Sequence, residues 1–133
     1  MKNFTKLFGV LLMLMFVFGC ESPRRDHYRP ERYKYDLSIQ GANTILQDVK
    51  RDMIRLGDTT PADVVLTTYR ESQATLKAKI KVLKEERESV KKEDKLDRSE
   101  KKSLDRNYEV AIENLETELK RIEKLEEKFF KMD

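Results

Sequence analysis

Few side chains in this sequence could carry out chemistry, and their spacing does not bring them together. The chain of 133 residues has one cysteine, Cys20, and one histidine, His27. A general base or a metal site needs partner side chains, which His27 lacks in the proline-containing segment around it. The sequence also has no glycine-rich loop of the kind that holds a phosphate group.

Carboxylates are abundant, but they alternate with lysine and arginine at helical spacing. We therefore expect the adjacent pairs Glu85-Glu86 and Glu126-Glu127 to lie on solvated helix faces rather than to act as acid and base. The sequence thus predicts a protein that is not an enzyme and that binds no cofactor or metal ion.

Cys20 has an informative position in the sequence. It ends an apolar run, residues 7–19, which follows a basic start containing Lys2 and Lys6. The run is too short to cross the ~30 Å hydrocarbon core of a bilayer comfortably. It has the length of the apolar region of a secretory signal peptide.

The segment Val17-Phe18-Gly19-Cys20 resembles the lipobox of bacterial lipoproteins, and the resemblance covers only the first 20 residues. It implies that a signal peptide, residues 1–19, is cleaved off. It also implies that the thiol of Cys20 receives a diacylglycerol and that the new amino group can be acylated, for example with palmitate. Two or more acyl chains anchor a protein stably. The resemblance therefore implies a protein of the bacterial cell envelope, lipid-anchored on the periplasmic or surface side of a membrane. The alternatives are an uncleaved N-terminal anchor with an incidental cysteine and secretion with cleavage elsewhere.

The composition of the remaining chain is typical of long helices. Without Lys2 and Lys6 it has 26 basic and 25 acidic residues, with few glycines and prolines. Such mixed charge does not favour nucleic acid as a partner.

Residues 20–35 are predicted to form a flexible basic tether, because Pro23 and Pro30 interrupt helix locally. From Tyr33 to Ile39 apolar and polar residues alternate. We interpret this alternation as an extended segment that lies on the bundle or, alternatively, is offered to a partner as a strand.

Residues 36–133 predict an all-α three-helix bundle. Helices are expected over residues 38–56, 61–92 and 98–131, each with apolar residues at spacings of three and four. The second stripe has the heptad period of a coiled coil.

Several residues signal where these helices end. Gly57 is expected to end the first helix in the left-handed conformation. Thr60 as N-cap and Pro61 at the first position predict the start of the second helix. Asp97 and Glu100 predict a capping box at the start of the third.

The short loop after the second helix predicts a long antiparallel helical hairpin. Folding about residue 95 gives these expected neighbours: Leu83 with Tyr108, Leu76 with Leu115, Tyr69 with Ile122, and Ala62 with Phe129. The first helix is expected to pack at the base and to cover about two thirds of the hairpin. Residues 84–102 would then remain as a two-helix spike that overshoots toward the membrane beside the tether.

Two features are candidate interaction sites. Residues 77–102, around the hairpin tip, contain 11 basic and 7 acidic residues. The tip candidates are Lys91, Lys92, Lys95 and Arg98, and the alternative is a loop kept soluble by its charge. At the C-terminus, Phe130 and Met132 either cap the bundle end near Leu56 and Val65 or form an exposed apolar docking spot.

The sequence thus predicts a non-enzymatic, lipid-anchored envelope protein that acts by protein–protein contact or as a spacer. Its expected partners are the membrane, through Cys20, and an unidentified protein, and a homo-oligomer remains open. The alternatives are a periplasmic chaperone or stress-type binder of unfolded proteins, a surface adhesin, and a phage-derived lysis or exclusion lipoprotein.

Overall fold

The computed structural model describes residues 30–131, which form three α-helices. Helix α1 spans Pro30–Arg55, α2 spans Ala62–Lys92 and α3 spans Arg98–Lys131. At ~1.5 Å per residue, α1 is about 40 Å long and the other two are about 45–50 Å long. The predicted all-α three-helix bundle is confirmed. The predicted signal peptide, Cys20, His27 and Met132 lie outside the described residues.

Helix α1 begins about two turns earlier than predicted. Pro30 is its first residue, so the last part of the predicted tether is helical, and so is the segment 33–39 that we expected to be extended. Proline is tolerated in the first turn of a helix because the N–H that it lacks would have no helical partner there. The buried face also follows helical rather than alternating spacing, since Tyr35 is buried while Tyr33 and Leu37 are exposed.

The core runs along the shared interior of the three helices. Each helix contributes residues three or four apart, as expected of apolar stripes that face one another. The buried apolar residues are Tyr35, Ala42, Leu46, Val49 and Met53 from α1, Leu76, Ile80, Leu83 and Val90 from α2, Leu96 from the tip loop, and Leu104, Tyr108, Ala111, Ile112, Leu115 and Ile122 from α3.

Helices α2 and α3 form the predicted antiparallel hairpin, but the neighbours near its base differ from those expected. The ring of Tyr69 meets the ring of Phe129, with centroids 6.3 Å apart, and Ala62 is exposed. Side chains in a helix lean toward its N-terminus, so the side chains of α2 lean toward the base and those of α3 lean toward the tip. Residues that are not level along the axis therefore touch. Phe129 thus meets Tyr69, and the expected pair of Ala62 with Phe129 was wrong because level backbone positions do not bring leaning side chains together.

The turn between α1 and α2 is closed by hydrogen bonds between its own residues rather than by a side chain that caps α2. The N–H of Gly57 donates to Oγ1 of Thr60 at 2.9 Å, and the N–H of Thr60 donates to the carbonyl of Gly57 at 3.1 Å. Gly57 does not have a positive φ, and Pro61 is the N-cap of α2, without a side-chain hydrogen bond. The predicted left-handed conformation of Gly57 was therefore wrong. Thr60 is not the N-cap because its hydroxyl accepts a hydrogen bond inside the turn, and Pro61 takes the N-cap position instead of the first helical position.

The predicted capping box at the start of α3 is present. The N–H of Glu100 donates to Oδ1 of Asp97 at 2.8 Å, and the N–H of Asp97 donates to Oε1 of Glu100 at 3.1 Å. Two backbone donors at the helix start thereby find acceptors, which fixes where the tip loop ends.

Candidate functional site

The hairpin tip lies at the end of the bundle where α1 begins. The hydroxyl of Tyr35 donates a hydrogen bond to Oε1 of Glu93 at 3.3 Å, and Nζ of Lys34 lies 3.9 Å from the same oxygen. The predicted two-helix spike over residues 84–102 was therefore wrong, and so was the predicted overshoot of the tip. The additional turns of α1 bring it up to the tip.

All four basic residues predicted at the tip are exposed there. Lys91 and Lys92 end α2, Lys95 lies in the loop and Arg98 begins α3. Nζ of Lys91 lies 3.1 Å from Oε2 of Glu88 in the same helix. The fold thus collects the predicted basic candidates at one end of the bundle.

A partly buried polar network joins the three helices below the tip. Oε1 of Glu86 accepts hydrogen bonds from the hydroxyl of Tyr108 at 3.2 Å and from the hydroxyl of Ser38 at 2.5 Å. Nζ of Lys79 donates to the Ser38 hydroxyl at 3.3 Å. The ring of Tyr35 packs edge-on against that of Tyr108, with centroids 6.3 Å apart. Burial, together with the charge of Glu86, raises the pKa of Tyr108, so this hydroxyl stays a neutral donor.

A second polar contact links α2 and α3 nearer the tip. The guanidinium of Arg87 donates to both carboxylate oxygens of Asp105, at 2.7 and 3.1 Å. This hydrogen bonding lowers the pKa of Asp105 below its ordinary value. The planar fork of Arg87 fits the carboxylate in the bidentate geometry that such pairs favour.

The carboxylate of Glu126 is also hydrogen-bonded between α2 and α3, nearer the end of the bundle opposite the tip. It accepts a hydrogen bond from the Gln73 amide at 2.7 Å and another from Nε of Arg70 at 3.2 Å. The bond from Gln73, followed by the bond from Arg70, lowers the pKa of Glu126.

The partners of these carboxylates were not predicted from the sequence. Glu86 and Glu126 were expected on solvated faces, and that prediction holds only for their neighbours Glu85 and Glu127, which are exposed. The available signal was the pair of polar residues, Gln73 and Arg87, that interrupts the apolar face of α2. A polar residue on a core-facing stripe needs a partner across the interface.

The other end of the bundle, which we call the base, consists of the α1–α2 turn and the last turn of α3. Phe130 is 49% exposed there, and its ring packs edge-on against Phe129 with centroids 5.8 Å apart. The guanidinium carbon of Arg70 lies 5.9 Å from the centroid of the same ring. Phe130 therefore packs against Phe129 and Arg70, and about half of its surface remains open.

A groove of about 490 Å³ runs between α1 and α2 near the base. Apolar side chains of Ile45, Val49 and Leu56 line it together with the carboxylates of Asp52 and Glu71.

Within residues 30–131, no helix has both the length and the apolar character needed to span a membrane. The same residues contain no group of three or more His, Cys, Asp or Glu side chains that could hold a metal ion. Comparison of the chain with protein-family models, with curated proteins and with solved structures gives no match.

Proposed function

We propose that this chain is a lipid-anchored, non-enzymatic protein of the bacterial envelope that holds its base away from the membrane for contact with another protein. The observation that carries the proposal is the position of α1, which starts at the tip end and leads to the base. A lipid on Cys20 would therefore attach to the tip end of the bundle.

The length of the chain between Cys20 and α1 supports this orientation, with the tip end toward the membrane. Cys20 and Pro30 are ten positions apart in the sequence, so the chain between them spans at most about 35 Å when fully extended. Helices α2 and α3 are about 45–50 Å long, which is more than this reach. An anchor at Cys20 therefore keeps the tip end near the bilayer and leaves the base as the end that can project from it.

The base offers apolar surface to a partner. Ile54, at the end of α1, is 81% exposed, and Val64, at the start of α2, is 45% exposed. Together with the half-exposed Phe130 they place apolar side chains from all three helices at this end. Aromatic side chains with an open face and an adjacent arginine are typical of protein contact surfaces.

The anchor is tested by metabolic labelling with a clickable fatty acid. The wild-type chain should take up the label and fractionate with membranes, and Cys20→Ser should take up none. Ser22→Ala serves as the matched control, because it changes a neighbouring hydroxyl and leaves the thiol in place. A wild-type chain without label would contradict the anchor.

The contact is tested by photo-crosslinking in intact cells, with a photoreactive residue at Phe130, at Val64 or, as a mid-bundle control, at the exposed Val82. Defined adducts from the two base positions, and none from Val82, are the expected result. Equal labelling from all three positions, or none from the base, would contradict a docking role for the base. Adducts with many unrelated polypeptides would instead support the chaperone alternative.

A further inference from the structure

We infer that the hairpin tip, residues 91–102, binds the anionic headgroups of a lipid bilayer through charge alone. The inference deepens the proposed function, because the anchor is what would bring the tip to a membrane. The binding itself follows from the chemistry of the tip and can be measured without the anchor.

Positive charge is in excess at the tip. Residues 91–102 contain six basic and four acidic residues. The basic residues are Lys91, Lys92, Lys95, Arg98, Lys101 and Lys102, and all but the half-buried Lys101 are exposed. Lys34, which is exposed on α1, adds a further positive charge beside Glu93.

Three of the four acidic residues of the tip accept hydrogen bonds from groups of the protein. Glu93 accepts the hydrogen bond from Tyr35, and Asp97 and Glu100 accept from each other's backbone N–H. These carboxylates are fixed against the protein, and so are Lys91, which pairs with Glu88, and Lys101, which donates to the Lys91 carbonyl. Lys92, Arg98 and Lys102 are exposed and carry their charge on long flexible stems. An approaching anionic surface therefore meets the basic groups first.

Residues 91–102 present no exposed apolar side chain to a bilayer, and the exposed Tyr33 and Leu37 lie on α1. Leu96 is the only apolar residue among residues 91–102, and it is 5% exposed. An amphipathic membrane-binding helix would instead present an apolar face to the acyl chains. Binding at the tip is therefore expected to be purely electrostatic, and salt should reverse it.

The bundle alone is a suitable test protein. Among the residues that the structure describes, all buried core residues lie between Tyr35 and Ile122, and residues 34–133 form one compact unit. A segment covering residues 30–133 keeps this core. It also omits Cys20 and the basic residues Arg24, Arg25 and Arg29, so any binding must come from the bundle.

The experiment is co-sedimentation of this segment with vesicles of pure phosphatidylglycerol or pure phosphatidylcholine. Each basic side chain near an anionic surface strengthens binding by roughly fivefold. The triple variant Lys92→Gln, Lys95→Gln, Arg98→Gln should therefore bind phosphatidylglycerol about 100-fold more weakly than the unchanged segment at low salt. The matched control is Lys120→Gln, Lys124→Gln, Lys128→Gln, which removes the same charge from exposed positions on α3 nearer the base.

The segment is expected to bind phosphatidylglycerol and not phosphatidylcholine. This binding should be lost at high ionic strength, because the Debye length shortens to a few ångströms. The control variant should change the affinity for phosphatidylglycerol only slightly. Circular dichroism checks that both triple variants keep their helices. Failure to bind phosphatidylglycerol at low salt, binding that salt does not weaken, or equal loss in both triple variants would overturn the inference. None of these outcomes depends on fatty-acid labelling of Cys20, so a failed anchor and a failed tip are told apart.

Discussion

Tyr35, in the second turn of α1, reaches Glu93 at the end of α2, and its hydroxyl donates to Oε1 across 3.3 Å. The ring of Tyr35 is 6% exposed, and this burial, followed by the charge of Glu93, raises its pKa. One side chain thus fills the core and fastens α1 to the tip of the hairpin.

Replacing Tyr35 separates these two roles. Tyr35→Phe keeps the ring and should lose about 0.5–1.5 kcal/mol of unfolding free energy, the usual net value of a hydrogen bond. Tyr35→Ala also empties the core position and should lose about 3–5 kcal/mol. Urea unfolding followed by circular dichroism measures both, with Gln40→Ala on the exposed face of α1 as the control. Equal losses in Tyr35→Ala and Gln40→Ala would mean that α1 does not pack at the tip.

Leu76 and Leu115 test the hairpin core. They are 0% and 1% exposed, and truncation of either to alanine should cost about 2–5 kcal/mol because a cavity remains. Lys77→Ala, at the exposed neighbour of Leu76, should change stability by less than about 0.5 kcal/mol. Thermal melts that show small and similar shifts for all three variants would contradict the pairing of α2 with α3.

The capping box at Asp97 offers a test of the tip loop. Asp97→Ala removes the acceptor of the Glu100 N–H and should lower the unfolding free energy by about 1 kcal/mol. Asp94→Ala removes the same chemical group from an exposed loop position and should cost less than about 0.5 kcal/mol. The difference between the two urea midpoints is the quantity to compare, and its absence would show that the box does not stabilise α3.

Tyr108 predicts how stability depends on alkaline pH. Burial raises its pKa above the ordinary value of 10.0, so the unfolded chain releases this proton first as pH rises. The contribution of Tyr108 to stability is therefore complete below about pH 10 and declines above it, by at most about 1.4 kcal/mol per pH unit.

The comparison that isolates this effect is wild type against Tyr108→Phe, in urea titrations from pH 8 to pH 11. Other tyrosines and lysines titrate in both proteins and cancel. The phenylalanine variant should be less stable at pH 8, because Glu86 loses a hydrogen-bond donor. The difference in unfolding free energy between the two proteins should become smaller above pH 10. A constant gap would indicate that the hydroxyl of Tyr108 reaches water in the folded state.

Local patterns in the sequence were sufficient for the number of helices, their apolar faces and the cap at Asp97. Each of these depends on residues a few positions apart, and helical spacing and capping are local properties. The end of α2 and both ends of α3 were predicted correctly for the same reason. The start of α1 was not, because Pro30 is compatible both with a break before a helix and with the first residue of one.

Tertiary structure alone decided how far α1 extends along the hairpin and which polar groups meet between helices. Glu85 and Glu86 are adjacent and chemically identical, yet Glu85 is exposed and Glu86 is partly buried, because Ser38 and Tyr108 lie opposite Glu86. The contact of Tyr69 with Phe129 likewise depends on how side chains lean across an antiparallel pair. Such contacts join residues far apart in the chain, and their geometry exists only once the three helices have packed.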